Sequence, residues 1–169
     1  MSIERDTRFW DRAARKYAEA AIADPAGYAQ TLARTRARLY ADTKVLELGC
    51  GTGTTAFQLA PDVRSYLSTD ISPAMIAIAR NRLADGAVPQ LSFRVATVEE
   101  LVRENSRFDA VLGFNYLHLV RDVRGTLRGI HDLLEPGGLF ISKTPCLRDI
   151  TVLIRALVLP AMRVTGMAP

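Results

Sequence analysis

Cysteine and histidine are scarce in this 169-residue chain, which holds two of each: Cys50, Cys146, His118 and His131. Two thiols cannot make a disulfide framework, and the two histidines lie far apart without acidic spacing, so neither a disulfide-stapled secreted domain nor a metal site is expected. No stretch of about 18 uncharged apolar residues occurs, which excludes a transmembrane helix. The first ten residues are charged and lack the apolar run of a secretory leader. These absences point to a soluble protein in a reducing, cytoplasmic compartment. Lysine stands only at positions 16, 44 and 143, so the net charge of +4 is carried almost wholly by arginine. The arginines are scattered and mixed with Asp and Glu, and neither a basic groove nor an appended recognition domain is evident. Nucleic acid is therefore not an expected partner. Repeats and low-complexity stretches are missing too. What remains, 49% hydrophobic and 24% charged residues, is the composition of one ordinary globular domain with a sizeable core.

The periodicity of the apolar residues changes along the chain. Phe9, Trp10, Ala13, Ala14, Tyr17, Ala18 and Ala21 recur at helical spacing and predict a helix over residues 5–23, broken at Asp24-Pro25. A second helix is expected over 28–40. From residue 44 strands and helices alternate: strands over 44–48, 66–69, 91–95, 109–113 and 139–143, with helices reaching 59 and over 73–83, 98–104 and 123–134. Ser72 suits a helix N-cap, with Pro73 in the first turn where a missing N–H is harmless. Such alternation implies parallel pairing through right-handed crossovers, hence a doubly wound, Rossmann-like α/β sheet of about five strands. The expected organisation is a single domain with an N-terminal helical cap over 1–42, a ligand-binding core over 43–145 and an apolar C-terminal helix over 146–169.

In such a sheet, ligands sit above the carboxyl ends of the strands, where the first strand turns into its helix. Gly49, Cys50, Gly51, Thr52 and Gly53 fall there. Glycines let the backbone approach a ligand closely, and the following helix offers unpaired N–H groups. Asp70 closes the second strand beside this loop, and an ionised carboxylate there can accept hydrogen bonds from both hydroxyls of a ribose. The loop also satisfies a dinucleotide fingerprint: Gly51-Thr-Gly53-Thr-Thr-Ala56 reads G-x-G-x-x-A, with Asp70 about 20 residues on. A nicotinamide cofactor is thus open on the loop alone.

Four ordered motifs carry a resemblance. Glu47-Leu-Gly-Cys-Gly-Thr-Gly53, Asp70-Ile-Ser-Pro-Ala-Met75, Phe108-Asp-Ala-Val111 and Leu134-Glu-Pro-Gly-Gly138 are similar to those of the class I S-adenosylmethionine-dependent methyltransferases, in the broad group that includes the ubiquinone and menaquinone C-methyltransferases. The opening Phe9-Trp10-Asp11 with Tyr17 also fits this group. The resemblance implies S-adenosylmethionine as cofactor and a small-molecule acceptor. By position, Glu47 would organise the methionine end and Gly49, Cys50, Gly51 and Gly53 would wrap the cofactor. Asp70 would hold the ribose, with Ile71 and Met75 beside the adenine. Thr97 stands where the family often has an acid for the adenine amino group; its hydroxyl would accept one weaker bond, helped by the N–H of Val98. Asn115 and Tyr116 would line the methyl side, and Tyr17 would close over the cofactor.

Methyl transfer from a sulfonium is an in-line displacement with a neutral leaving group, so alignment and desolvation of the nucleophile matter most. His118, just past the fourth strand, is the candidate general base. Members of the group usually continue past the fifth strand into an antiparallel hairpin, which does not follow residue 143 here. The chain therefore reads as a truncated fragment whose open fifth-strand edge would pair with a second copy. The apolar segment from 150 to 164 would allow contact with a membrane surface or a lipid-like acceptor. The rival readings are an NAD(P)-dependent oxidoreductase and a non-catalytic cofactor-binding remnant.

Overall fold

In a computed structural model of the chain, the described residues are 3–144 apart from 85 and 87. The expected apolar C-terminal helix over 146–169 and Cys146 lie outside them. Two helices come first, and from residue 44 strands and helices alternate as the periodicity requires. Helix α1 (Ile3–Glu19) and helix α2 (Pro25–Arg36) precede the sheet. Strand β1 (Lys44–Leu48), α3 (Thr54–Leu59) and a short 3-10 turn follow, then β2 (Ser65–Asp70), α4 (Pro73–Ala84) and β3 (Leu91–Val95). The series closes with α5 (Val98–Arg103), β4 (Phe108–Phe114), α6 (Val123–Leu133) and β5 (Leu134–Lys143). All four pairings are parallel, in the order β3-β2-β1-β4-β5. The doubly wound sheet is as expected.

Successive side chains of a strand point to opposite faces, so each central strand feeds two cores. Val45 packs with Leu32, Leu59, Tyr66, Ile76 and Leu112 on one face. Leu46 and Leu48 pack with Leu101, Val111, Ile130 and Leu133 on the other. Helices cover both faces, which leaves the carboxyl end of the sheet as the open end for a ligand.

Several boundaries depart from the sequence reading for local reasons. α2 starts at Pro25 because Asp24 is both the break and the cap: its Oδ1 accepts the N–H of Gly27 at 2.9 Å, and proline fills the first turn. It ends at Arg36, four residues early, where the N–H groups of Arg38 and Leu39 bond back three residues instead of four. β5 begins at Leu134, five residues before expectation. Leu134 pairs with Phe108, and an irregularity then absorbs Pro136 and two glycines before Leu139 pairs with Ala110. Gly137 has φ +84°, and a Cβ on Gly138 would come within 2.9 Å of the carbonyl oxygen of Glu135. The Pro-Gly-Gly run is thus a bulge inside a strand rather than a turn before one. Among the described residues, no strand pairs with the outer edge of β5.

Gly53 caps α3 with φ +81°, and a Cβ there would lie 2.6 Å from the Phe93 ring on β3. Left-handed backbone costs a non-glycine residue about 1–2 kcal/mol, and the ring must also give way. Gly53→Ala is expected to lower stability by about 2 kcal/mol, read as the urea midpoint. An unchanged midpoint would show that the loop relaxes at no cost.

Candidate functional site

A cavity of about 510 Å³ opens at the carboxyl ends of the strands, walled by α1 and the loops after β1, β2, β3 and β4. Eleven of the sequence-named residues line it: Tyr17, Gly49, Gly51, Asp70, Ile71, Met75, Thr97, Val98, Asn115, Tyr116 and His118. Glu47, Cys50 and Gly53 are not in its wall; they build the loop and the support beneath it.

Asp70 joins two of these walls. One carboxylate oxygen accepts the N–H of Gly51 at 2.9 Å and the other that of Ser72 at 2.9 Å. A carboxylate has room for about four such bonds, so each oxygen retains capacity toward the cavity. Burial pushes the Asp70 carboxyl up from the ordinary range, against the pull of those backbone N–H groups. Gly49 turns with φ +65°, and a Cβ there would meet the Tyr116 ring at 2.7 Å, so backbone and ring close one wall together. The N–H of Cys50 bonds the carbonyl of Thr69, tying the loop to the end of β2.

Glu47 sits behind the loop, only 3% exposed. Its Oε2 accepts the hydroxyls of Tyr66 at 3.1 Å and Ser68 at 3.0 Å. Burial raises its pKa to about 7 despite these two bonds. The Cys50 thiol is also raised well above its ordinary value by burial, which makes it a poor nucleophile.

Thr97 is committed to the helix. Its hydroxyl accepts the N–H of Glu100 at 3.3 Å while the Glu100 carboxylate accepts the N–H of Thr97 at 2.8 Å, a reciprocal capping box for α5. The expected bond from an adenine amino group must share that oxygen. Ser72 caps α4 as expected, accepting the N–H of Met75 at 3.1 Å. Tyr17 is 49% exposed, set edge-to-face against Trp10 with its ring against Gly51. It belongs to the cavity wall rather than the core. Asn115 turns the chain with φ +53°, donating its N–H to Lys143 at 2.7 Å. His118 follows; its side chain is exposed at the edge of the cavity wall, and partial loss of solvent there lowers its pKa below the usual imidazole value, which favours the neutral, proton-accepting form at neutral pH.

Other functional groups are supplied by tertiary structure. Trp10, Glu99, Phe114 and Leu119 also line the cavity. Asp6 of α1 and Arg121 of the loop after β4 form a two-pronged ion pair across its mouth at 2.6 and 2.8 Å. Asp11, also on α1, accepts from Ser72 and Ala74 at the start of α4. Nothing in the spacing of these residues announces such contacts.

Comparison with known proteins bears on the same region. Residues 45–138, from β1 into the bulge of β5, match the family model described as a methyltransferase domain. The chain is 37% identical over 101 residues to a ubiquinone biosynthesis O-methyltransferase of Methylocella silvestris, covering 60% of this chain and 39% of that protein. It covers 43% of the corresponding protein of Ruegeria pomeroyi at 31% identity. The chain thus spans well under half the length of these curated relatives. Among solved structures, a DhpI–SAH complex superposes with TM-score 0.68 at 25% identity over 85% of this chain and 70% of that one. An S-adenosylmethionine-dependent methyltransferase of Mesorhizobium loti superposes with TM-score 0.60 at 29% identity, covering 72% and 55%. These matches do not favour the dinucleotide reading of the glycine loop. With more than half of its residues, the whole loop and Asp70 among them, inside the matched span, the chain belongs to the methyltransferase domain family.

Proposed function

We propose that the chain binds S-adenosylmethionine and promotes methyl transfer to a small-molecule acceptor. The observation that carries this reading is the pairing of Asp70 with the Gly51 amide in the wall of one cavity. The residues suit the cofactor: a carboxylate with spare acceptor capacity for two ribose hydroxyls, a loop whose glycines adopt positive φ and let aromatic rings pack where a Cβ would collide, and apolar side chains of Ile71 and Met75 for a flat base. When bound, the cofactor supplies an electrophilic methyl group on a sulfonium. Asp70 would hold the ribose, Ile71, Met75 and Val98 the adenine, and Asn115 and Tyr116 the methyl side. The test is a thermal-shift and calorimetric titration. Stabilisation by S-adenosylhomocysteine and none by NAD(H) or NADP(H) is expected; the reverse would sink the proposal in favour of an oxidoreductase.

The acceptor this site supports best is an apolar molecule carrying a hydroxyl, because Trp10, Phe114 and Leu119 share the wall with His118. The neutral imidazole would take the hydroxyl proton as the oxygen attacks, and the Methylocella relative is named an O-methyltransferase. The rate is then expected to fall as pH drops through the His118 pKa, which lies below the ordinary imidazole value. His118→Gln should flatten that acid limb, and a limb that persists in the variant would remove His118 as base. Tight S-adenosylhomocysteine binding without transfer to any phenol or alcohol would favour the non-catalytic remnant. Among the described residues, no helix is long and apolar enough to cross a membrane. The same reading places the protein in the cytoplasm and leaves the outer edge of β5 for pairing with a second copy.

A further inference from the structure

The Phe9-Trp10-Asp11 segment gives Trp10 to the cavity wall but leaves the acid without a role there. Its geometry supplies one. Asp11 Oδ1 accepts the hydroxyl of Ser72 at 2.6 Å and the N–H of Ala74 at 3.1 Å. Helix α4 begins at Pro73, so its first-turn donors are Ala74 and Met75; the first is taken by Asp11 and the second by the Ser72 hydroxyl. An N-cap carboxylate normally comes from the residue beside the helix; here a second helix, 61 positions away in sequence, provides it. Ser72 is fully buried, and its own N–H donates to Asp70 Oδ1 at 2.9 Å. A continuous chain of hydrogen bonds therefore runs from α1 through Ser72 to Asp70 and on to the Gly51 amide.

We propose that Asp11 is a positioning residue for the cofactor: by fixing Ser72 and the first turn of α4 it sets the orientation of the Asp70 carboxylate, so that docking of α1 and binding of the adenosyl group support each other. The inference rests on the reading of the cavity as an adenosyl site. Asp11 does not need to touch the ligand. Its effect reaches the cavity through Asp70, and linkage makes the coupling reciprocal: what α1 docking adds to cofactor affinity, cofactor binding adds to α1 docking.

A double-mutant cycle read by calorimetry with S-adenosylhomocysteine tests this. Asp11→Ala is expected to weaken binding about tenfold, within the range typical of coupled sites. Asp11→Asn, which keeps an oxygen in place for both donors, should recover affinity to within about threefold of the unaltered chain. In an Asp70→Ala background, Asp11→Ala should cause no further loss. A purely structural role would make the two losses multiply and would lower the melting temperature without selecting for Asp70; multiplied losses, or full affinity in Asp11→Ala, would overturn the proposal. If Asp70→Ala itself leaves binding untouched, it is the adenosyl reading that fails. Should Asp11→Ala not fold, hydrogen exchange on the unaltered chain decides: S-adenosylhomocysteine must raise the protection of the α1 amides, and unchanged protection would sink the coupling.

Discussion

Asp70→Ala is expected to weaken S-adenosylhomocysteine binding by about 2–4 kcal/mol, roughly thirty- to a thousand-fold. Two ribose hydroxyls bonded to a charged acceptor each contribute about 1.5–3 kcal/mol when water is kept out. The carboxylate sits in such a place: burial already raises its pKa, and two backbone amides hold it against that pressure. The substitution also strips the Gly51 and Ser72 amides of their acceptor, so loop order and affinity should fall together. Because only the ionised form accepts from both hydroxyls, affinity should weaken as pH falls, beginning above the ordinary carboxylate range. A calorimetric affinity that survives Asp70→Ala would reject the ribose role. An affinity for S-adenosylhomocysteine that falls in a chain that shows no NADH binding before or after the substitution would support the adenosyl reading against its rival.

The strand-and-helix alternation and the glycine loop were legible because each rests on a local rule. β1 and β3 fall where alternation of apolar residues sets them, and Ser72-Pro73 marks the start of α4 by capping chemistry alone. Thr97 is also legible, but as something else. Thr97-Val-Glu-Glu100 is a capping-box signature, and that local demand competes with the ligand role inferred from its position in the motif. Of β5, residues 139–143 were legible and only the start was hidden: Pro136, Gly137 and Gly138 lack any strand pattern, whereas tertiary pairing of Leu134 with Phe108 draws them into the strand as a bulge. The cap contacts were illegible in principle. Asp6 meets Arg121 across 115 positions, and Asp11 meets Ser72 across 61. No local periodicity encodes either meeting.

Glu47 carries the other large expected effect, and it falls first on stability. Its carboxyl has a pKa of about 7 in the folded chain against 4.5 as the ordinary value, so the folded protein holds a proton that the unfolded chain has already released. The sign follows from linkage: for an acid whose pKa rises on folding, the penalty is absent below the unfolded value and complete above the folded one. Stability should therefore decline between about pH 4.5 and 7, by roughly 3 kcal/mol, from this one group. Glu47→Gln removes the charge while keeping an oxygen for the Tyr66 and Ser68 hydroxyls. It should raise stability at pH 8 by roughly 2 kcal/mol, the difference being the amide N–H that must find a new acceptor, and flatten the decline measured by urea unfolding across that window. The same variant should bind S-adenosylhomocysteine more weakly. A buried charge that destabilises the empty protein is best explained by what it does for a ligand, and under the proposed reading a negative group beneath the glycine loop favours the ammonium of the methionine end. Urea midpoints that keep their slope with pH in Glu47→Gln would show that another group carries the decline, and would leave Glu47 a neutral hydrogen-bonding partner of Tyr66.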